Sequence, residues 1–262
     1  MYFSDRAFKT GAVGLLISLF LYFIILLVCG AATVGLQRFT AILFSEKILF
    51  AIKLSIFTAT VSTILSMLVA VPASFALSRF QFRGKGIIDM LLDVPIILSP
   101  IAIGAMLLIF FNTNAGKTVE KFTIPFVFEV PGIILAQFTV VCALAVRLLK
   151  STFDSIDTRY EKVSRTLGLS SSASFFKVVV PLAKNGLIAS AILTWARAIG
   201  EFGATVTLAG AMPMKTETLP VAIYLSFANA DIERAMAVVF ILVAMALSVL
   251  LLIRKLTAEK IS

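Results

Sequence analysis

The amino-acid sequence predicts an all-α integral membrane protein with about six transmembrane helices. Hydrophobic residues make up 60% of the 262-residue chain and charged residues 14%, whereas soluble domains average about 45–50% and about 25%. The mean hydropathy is +1.05. A chain with so little charge cannot cover a water-soluble surface. Six apolar runs also approach the ~20 residues that cross a bilayer, so we treat residues 1–262 as a single transmembrane domain.

The predicted spans share a run of mostly apolar residues, and in chain order they cover residues 13–35, 54–77, 94–111, 132–146, 187–209 and 235–253. The first follows Arg6 and Lys9, as the core of a secretory signal does. At about 23 residues it exceeds the ~7–15 of such a core, so we expect it to stay in the protein. The third and fourth spans are short and lie beside prolines, which leaves their ends the least defined.

Lysine and arginine are distributed unevenly between the loops. Six spans place both termini on one side of the membrane, and about twice as many of the 23 lysines and arginines fall on that side as on the other. Lys260 is one of the residues counted on the side of the termini. Because positive residues accumulate in cytoplasmic loops, the sequence predicts a multi-pass protein of the cytoplasmic membrane with both termini and the loop 148–184 in the cytoplasm. The net charge of +9 has the same origin and does not indicate nucleic acid as a partner.

The composition also excludes several kinds of chemistry. The sequence has no histidine, which removes histidine-based catalysis and histidine metal sites. Cys29 and Cys142 lie in apolar runs and are interpreted as small core residues. Residues 115–118 (AGKT) resemble the end of a phosphate-binding loop, but Phe111 stands where that motif needs a glycine. We therefore expect neither a cofactor nor a metal in this chain.

The loop 148–184 is the longest connection on the predicted cytoplasmic side. Residues 157–167 have helical spacing, and Gly168 follows as a left-handed residue that ends a helix. Serines 170–172 cap a second short helix that carries Phe175 and Phe176 before Pro181. Two interpretations follow from the residues alone: an amphipathic hairpin on the lipid headgroups, or a docking element for a cytoplasmic partner.

The same loop resembles the EAA loop of ABC-importer permease subunits. The family pattern is E-A-A, three residues, glycine, nine residues and then I-x-L-P, and Gly168 and Val178–Pro181 fall in register with it. Lys162-Val-Ser stands where the pattern has E-A-A, with an acid one residue earlier at Glu161. In the family this loop seats a coupling helix in a cleft of the ATP-binding subunit. The resemblance implies that coupling to an ATPase involves Glu161, Arg165, Gly168, Phe175, Phe176 and Pro181.

The resemblance extends over roughly residues 54–220. Residues 79–104 and 131–137 are similar to spans two to four of oxyanion importers, and RTLG (165–168) and WARAIGEFGA (195–204) resemble the molybdate/tungstate branch. Sulfate permeases are similar, but tend to have tyrosine at the position of Phe202. The resemblance implies a type I ABC-importer permease fold and a permease without its own ATPase site. It also implies a second copy of the chain, two ATP-binding subunits that hold ATP and Mg, and an external oxyanion-binding protein.

Other classes remain as alternatives. A sulfate or thiosulfate permease would have the same architecture. A stand-alone channel or ion-coupled carrier would usually show inverted repeats, which are not evident, and would leave the EAA-like loop unexplained. An intramembrane enzyme would need clustered catalytic groups within the spans, and none appear in the sequence.

The predicted fifth span contains a charged pair, Arg197 and Glu201. On one continuous helix these two, with Thr194 and Thr205, form a polar stripe beside a strip of small residues. Two interpretations of the pair remain open. It is a buried ion pair that fixes helix packing, or it borders the route of a dianion, where the negative charge of Glu201 weakens anion binding by Arg197. The predicted pathway or gate residues are Pro95, Ser99, Pro100, Thr194, Arg197, Gly200, Glu201, Gly203 and Thr205.

Overall fold

A computed structural model describes the backbone of residues 5–258 and the side chains of residues 8–251. Lys260, counted above, lies outside the described residues. Within this range every regular element is helical. The helices, in chain order, are α1 (Asp5–Ala31), α2 (Leu36–Leu43), α3 (Glu46–Arg79), α4 (Lys85–Leu91), α5 (Val94–Ile97), α6 (Pro100–Asn112), α7 (Asn114–Phe122), α8 (Val130–Asp154), α9 (Arg159–Thr166), α10 (Ser171–Ser174), α11 (Val180–Ile199), α12 (Gly203–Ala209), α13 (Leu219–Ala228) and α14 (Ile232–Ala258).

The prediction of about six spans is confirmed. Five helical segments are long and apolar enough to cross a membrane, and a sixth is counted if α4–α5 and α6 together form one broken span. The five are Phe8–Ala31, Glu46–Arg79, Val130–Asp154, Ser171–Ile199 and Ile232–Leu251. Several helices extend beyond the predicted spans because their ends carry charged residues that continue the helix past the apolar core.

The third predicted span is wrong as one continuous helix. The chain bends by 108° between Lys85–Ile97 and Pro100–Asn112. Leu98 and Ser99 are extended, and the Ser99 hydroxyl accepts a hydrogen bond from the Ala102 N–H, which starts α6. Pro100 disfavours a helical conformation at the preceding residue and cannot donate a backbone hydrogen bond. Helices α4 and α5 therefore do not continue the direction of α6.

The fifth predicted span is also divided. Helix α11 ends at Ile199, and α12 begins at Gly203 after a break at residues 200–202. At its other end α11 continues from α10 through a π-helical turn, Phe175–Val179. Pro181 therefore does not end the second loop helix as predicted. The wider turn just before it accommodates the missing N–H and the bulk of the ring.

The centre of the bundle is the contact between α3 and α8. The buried face of α3 consists largely of small residues, among them Ala51, Ser55, Ala59, Ser62 and Ala70. Small residues let two membrane helices approach closely. The Ser62 hydroxyl also lies 3.0 Å from both the Ile134 carbonyl and Gln137 Oε1. These polar contacts of Ser62 with α8 fix the pairing of the two helices.

Candidate translocation and coupling sites

The two helix breaks lie side by side. A Cβ on Gly203 would be 2.9 Å from Ile101 Cγ1 and 3.1 Å from Pro100 Cβ. One turn further along, a Cβ on Gly104 would be 2.8 Å from the Ala204 Cα. The backbones of α6 and α12 therefore touch at these glycines, and the break before α6 faces the break before α12.

The charged pair spans the second break. Arg197 Nη1 lies 2.5 Å from Glu201 Oε2, so the predicted pairing four residues apart is confirmed. The other carboxylate oxygen of Glu201 accepts a hydrogen bond of 3.1 Å from the Ala204 N–H at the start of α12. Glu201 is 1% exposed, whereas the side chain of Arg197 is 39% exposed. One buried carboxylate thus holds the end of α11 and the beginning of α12 together.

The predicted polar stripe along one continuous helix is wrong, because α11 ends before Glu201. The Thr194 hydroxyl donates to the Ser190 carbonyl at 2.7 Å, while Thr205 Oγ1 has no hydrogen-bond partner among the described residues. Both threonines are fully buried. Of the predicted pathway residues in this region, Arg197 and Gly200 reach the surface.

On the other side of the contact, Ser99 is exposed and Pro95 and Pro100 are half-buried. The structure therefore brings Pro100 and Gly203 together beside the paired Arg197 and Glu201, and leaves the two threonines in the core.

The loop after α8 has the predicted helix–glycine–helix form. Gly168 has φ +90° and follows α9 directly after Leu167, which confirms its left-handed conformation. The Ser170 hydroxyl accepts a hydrogen bond from the Ala173 N–H, as predicted for a cap. The hydroxyls of Ser164 and Ser174 lie 2.6 Å apart and connect the two short helices. The angle between them is therefore fixed by both the glycine and a buried contact.

Phe175 and Phe176, both implied in coupling by the resemblance, point in different directions. Phe175 packs against Phe75 with ring centroids 4.6 Å apart and against Phe153 at 6.3 Å. Phe176 is 68% exposed. Adjacent helical residues point about 100° apart, so one ring enters the core of the chain while the other stays available. Pro181 and Arg165 are also exposed.

Glu161, implied in coupling by the resemblance, is held by the last residue of α3. Arg79 Nε lies 2.6 Å from Glu161 Oε1, and Arg79 Nη2 donates to the Ile156 carbonyl at 2.8 Å. The Arg79 side chain is 9% exposed. This contact anchors α9 to the end of α3.

Sequence reasoning missed a second ionic contact, centred on Arg147 of α8. Its guanidinium pairs with Asp89 and, at 2.7 Å, with Asp93, and so holds α4 and α5 against α8. The available signal was an arginine at the end of an apolar span together with two aspartates before Pro95. No carboxylate stands three or four residues from Arg147, so local spacing gave it no partner.

The glycine of the AGKT fragment (115–118) lies in the first turn of α7. The Gly116 N–H donates to the Thr113 hydroxyl, and a Cβ at Gly116 would be 2.2 Å from the Phe110 carbonyl. A phosphate-binding loop needs these N–H groups to point into an open concavity after a strand. This fragment is a capped helix start packed against its own chain.

Broken helices that touch beside an ion pair inside the bundle are typical of membrane transport proteins. The chain belongs to the family of binding-protein-dependent transport system inner membrane components, whose family profile matches residues 62–258. The multi-pass membrane character predicted above agrees with this family.

Curated relatives support the same placement. A probable molybdenum ABC transporter permease of Haloferax volcanii is 37% identical over 212 residues, covering 81% of this chain and 77% of the relative. A molybdate/tungstate permease of Pyrococcus furiosus is 32% identical over 84% and 82% of the two chains. A sulfate permease of Synechocystis is 29% identical over 91% and 90%. The predicted resemblance to the oxyanion branch is confirmed.

A solved structure shows the fold. One chain of the crystal structure of a bacterial alginate ABC transporter in complex with an alginate-bound periplasmic protein superposes with a TM-score of 0.79 at 13% identity, covering 97% of this chain and 95% of that chain. At this identity the likeness concerns the fold alone. The type I ABC-importer permease fold is therefore confirmed.

Proposed function

We propose that this chain conducts a tetrahedral oxyanion, molybdate or tungstate, across the cytoplasmic membrane as the permease subunit of an ABC importer. The observation that carries the proposal is the membership of the permease family together with relatives that bear molybdenum and tungstate names at 32–37% identity. The presence of a sulfate permease at 29% identity makes sulfate the second candidate.

Transport by this chain needs an energy source on another polypeptide. We assign ATP and Mg to two cytoplasmic ATP-binding subunits, which α9 and the exposed Phe176 would contact. The loop 148–184 and both termini then lie in the cytoplasm, as the lysine and arginine distribution indicates. An external oxyanion-binding protein would deliver the anion to the opposite side and supply most of the selectivity.

A second copy of this chain would complete the pathway. Helix α1 supports this part of the proposal, because none of the residues in its most apolar window is buried against the rest of the chain. Its contact with the body is local: a Cβ on Gly30 would meet Met236 and Phe240 of α14. A helix that leaves its own bundle so completely needs either lipid or a partner protomer to cover it.

The pathway in this proposal passes the contact between α6 and α12. The helices are broken at this level, as are helices at substrate sites in other transporters. Arg197 presents a partly exposed guanidinium whose charge Glu201 offsets, so an anion is attracted without being held. The exposed Ser99 and Gly200 lie at the same two breaks.

Uptake by a reconstituted complex tests this function. The chain would be coexpressed with the ATP-binding and binding-protein subunits encoded beside it, purified and placed in liposomes with ATP inside. We expect labelled molybdate or tungstate to accumulate and a hundredfold excess of sulfate to compete poorly. Strong competition by sulfate would favour the second candidate, and uptake without ATP would contradict an ABC importer.

A further inference from the structure

Helix α9 presents a basic surface to the solvent. Arg159, Lys162 and Arg165 recur every three residues and are all exposed. Arg159 lies 3.6 Å from Asp157. Within the part of the chain whose side chains are described, Lys162 and Arg165 have no carboxylate within ion-pair distance. This side of α9 therefore carries two cations without compensation.

The carboxylate on the same helix does not offset them. Glu161 stands one turn before Arg165, but Arg79 binds it at 2.6 Å with both side chains largely buried. Its charge is already balanced by Arg79, and its role is to attach α9 to α3. The exposed charge of α9 is thus positive, although its sequence contains an acid.

A cavity of about 420 Å³ opens between α9 and the end of α3. Its lining combines rings and charges, and includes Phe75, Arg79, Thr158, Glu161, Lys162 and Arg165. Three of these side chains are cationic and one is anionic. The cavity has room for a side chain from another protein, and its net positive charge favours a carboxylate.

We propose that an acidic side chain of the ATP-binding subunit enters this cavity and pairs with Lys162 and Arg165. The inference rests on the proposed function, because it assumes that subunit as the partner of α9. In the EAA pattern a glutamate stands at the position of Lys162, so the charge on this docking surface is reversed relative to the pattern. The receiving cleft of the ATP-binding subunit must then carry carboxylates where such a permease would need a cation.

A cleft fits α9 better than a lipid surface does. Beside the basic side lies an apolar side formed by Tyr160, Val163 and Leu167, which are 56%, 57% and 80% exposed. The basic side and the apolar side are adjacent. Together they occupy most of the helix surface that Glu161 and Ser164 do not take up. A flat headgroup layer covers one side of a helix, whereas a cleft contacts both.

Carbodiimide crosslinking locates the carboxylate. The chain and the ATP-binding subunit encoded beside it are coexpressed, purified as a complex and treated with a zero-length carbodiimide, which joins a lysine amine only to a carboxylate in direct contact. We expect a crosslink from Lys162 to an aspartate or glutamate of the ATP-binding subunit, identified by mass spectrometry. The matched control is Lys162→Arg, which keeps the positive charge but offers no amine to the reagent, so the crosslink at this position should disappear.

Charge reversal measures the interaction. We expect Lys162→Glu with Arg165→Glu to slow association of the two subunits by about tenfold and to remove its weakening by salt. The control pair Lys117→Glu with Lys121→Glu changes the net charge equally at exposed positions of α7 and should leave association unchanged. Changing the crosslinked carboxylate to lysine should restore binding to the reversed chain.

The results distinguish a failure of this inference from a failure of the proposed function. If the unchanged chain binds no ATP-binding subunit, the proposed function fails and the inference with it. If the complex forms but shows no Lys162 crosslink and tolerates charge reversal, only the inference is overturned. An effect of reversal that appears in membranes containing phosphatidylglycerol and vanishes in phosphatidylcholine alone would assign the basic surface to lipid instead and overturn the inference.

Discussion

Glu201 serves two neighbours with one buried carboxylate. One oxygen pairs with Arg197 at 2.5 Å, and the other caps α12 through the Ala204 N–H. The two side chains differ in their access to water when the pair is broken. On the proposed pathway Arg197, which is 39% exposed, can be hydrated without its partner, whereas Glu201 is 1% exposed and cannot.

This asymmetry predicts which single substitution harms assembly more. Arg197→Ala leaves an unpaired buried carboxylate, and breaking a buried pair costs about 3–5 kcal/mol. Glu201→Gln removes the negative charge but keeps an oxygen for the Ala204 N–H, so we expect a loss nearer ~1 kcal/mol. The thermal unfolding midpoint of the purified complex measures both. Equal midpoints for the two variants would contradict the proposed difference in hydration.

Combining the two substitutions separates packing from transport. Arg197→Ala with Glu201→Gln leaves no buried charge and keeps the cap, so assembly should recover relative to Arg197→Ala alone. If Arg197 also presents donors to the passing anion, uptake of labelled oxyanion stays poor in the double variant. We expect this outcome. Near wild-type uptake per assembled complex would end the pathway role of Arg197 and leave the pair as a structural bridge.

Spacing alone predicted the Arg197–Glu201 pair, since residues four apart meet on a helix. It did not predict the break between them. Glycine is common within membrane helices, so Gly200 gave no local sign that α11 ends there. The break depends instead on the Ala204 cap and on the contact with α6, which joins residues about a hundred positions apart.

At the scale of elements, α6 and α12 form a contact between backbones rather than side chains. A Cβ at Gly104 would lie 2.8 Å from Ala204 Cα, Ala204 O and Thr207 Cβ. None of these atoms is the end of a flexible side chain, so one of the helices must move to admit a methyl group. A single methyl group added at Gly104 is therefore enough to disturb the contact.

Gly104→Ala should separate α6 from α12 and destabilise the complex by about 1–3 kcal/mol, the usual cost of overpacking. If this contact closes the pathway, the variant should also hydrolyse ATP faster in the absence of the binding protein. Gly86→Ala is the matched control, since a Cβ there meets nothing within 4 Å. If the Gly104→Ala complex is as stable as the Gly86→Ala control and hydrolyses ATP no faster without the binding protein, the contact is not a gate.

The bend at Gly168 sets the direction of α9 relative to α10. Gly168→Val places a β-branched residue at φ +90°, a conformation that is strongly disfavoured for such residues. We expect the chain to insert normally but anion-stimulated ATPase activity and uptake to become uncoupled. Gly168→Asn is the control, because asparagine tolerates left-handed conformations. Normal coupling in the valine variant would refute the assignment of this loop to the ATPase contact.

Hydropathy located the spans but not the bend of the third one. The apolar residues of α5 continue into those of α6 and so resemble one span, whereas the direction of α4 and α5 depends on Arg147. That side chain lies more than fifty positions after the aspartates Asp89 and Asp93 that it holds. Sequence patterns report local periodicity, so a contact of this range could be found only from the folded chain.

At the scale of the whole molecule, both ends of the bundle carry ion pairs. Arg38 pairs with Glu233 at 2.7 Å and Lys215 pairs with Glu129 at one end, whereas Lys150 pairs with Asp154 at 2.8 Å at the α9 end. The ion pairs therefore do not distinguish the two sides of the membrane, and the orientation stays a prediction from the number of positive residues in the loops.

Labelling of single cysteines tests the orientation of the whole chain. Cys29 and Cys142 are first replaced, and one cysteine is then placed at Ser171 or Lys215, both exposed. Lys215→Cys removes an exposed ion pair, which contributes at most about 1 kcal/mol, so the fold should persist. An impermeant maleimide added outside intact cells should label position 215 and reach position 171 only after the membrane is opened. Labelling of position 171 from outside would invert the topology and place α9 where no cytoplasmic ATPase could bind it.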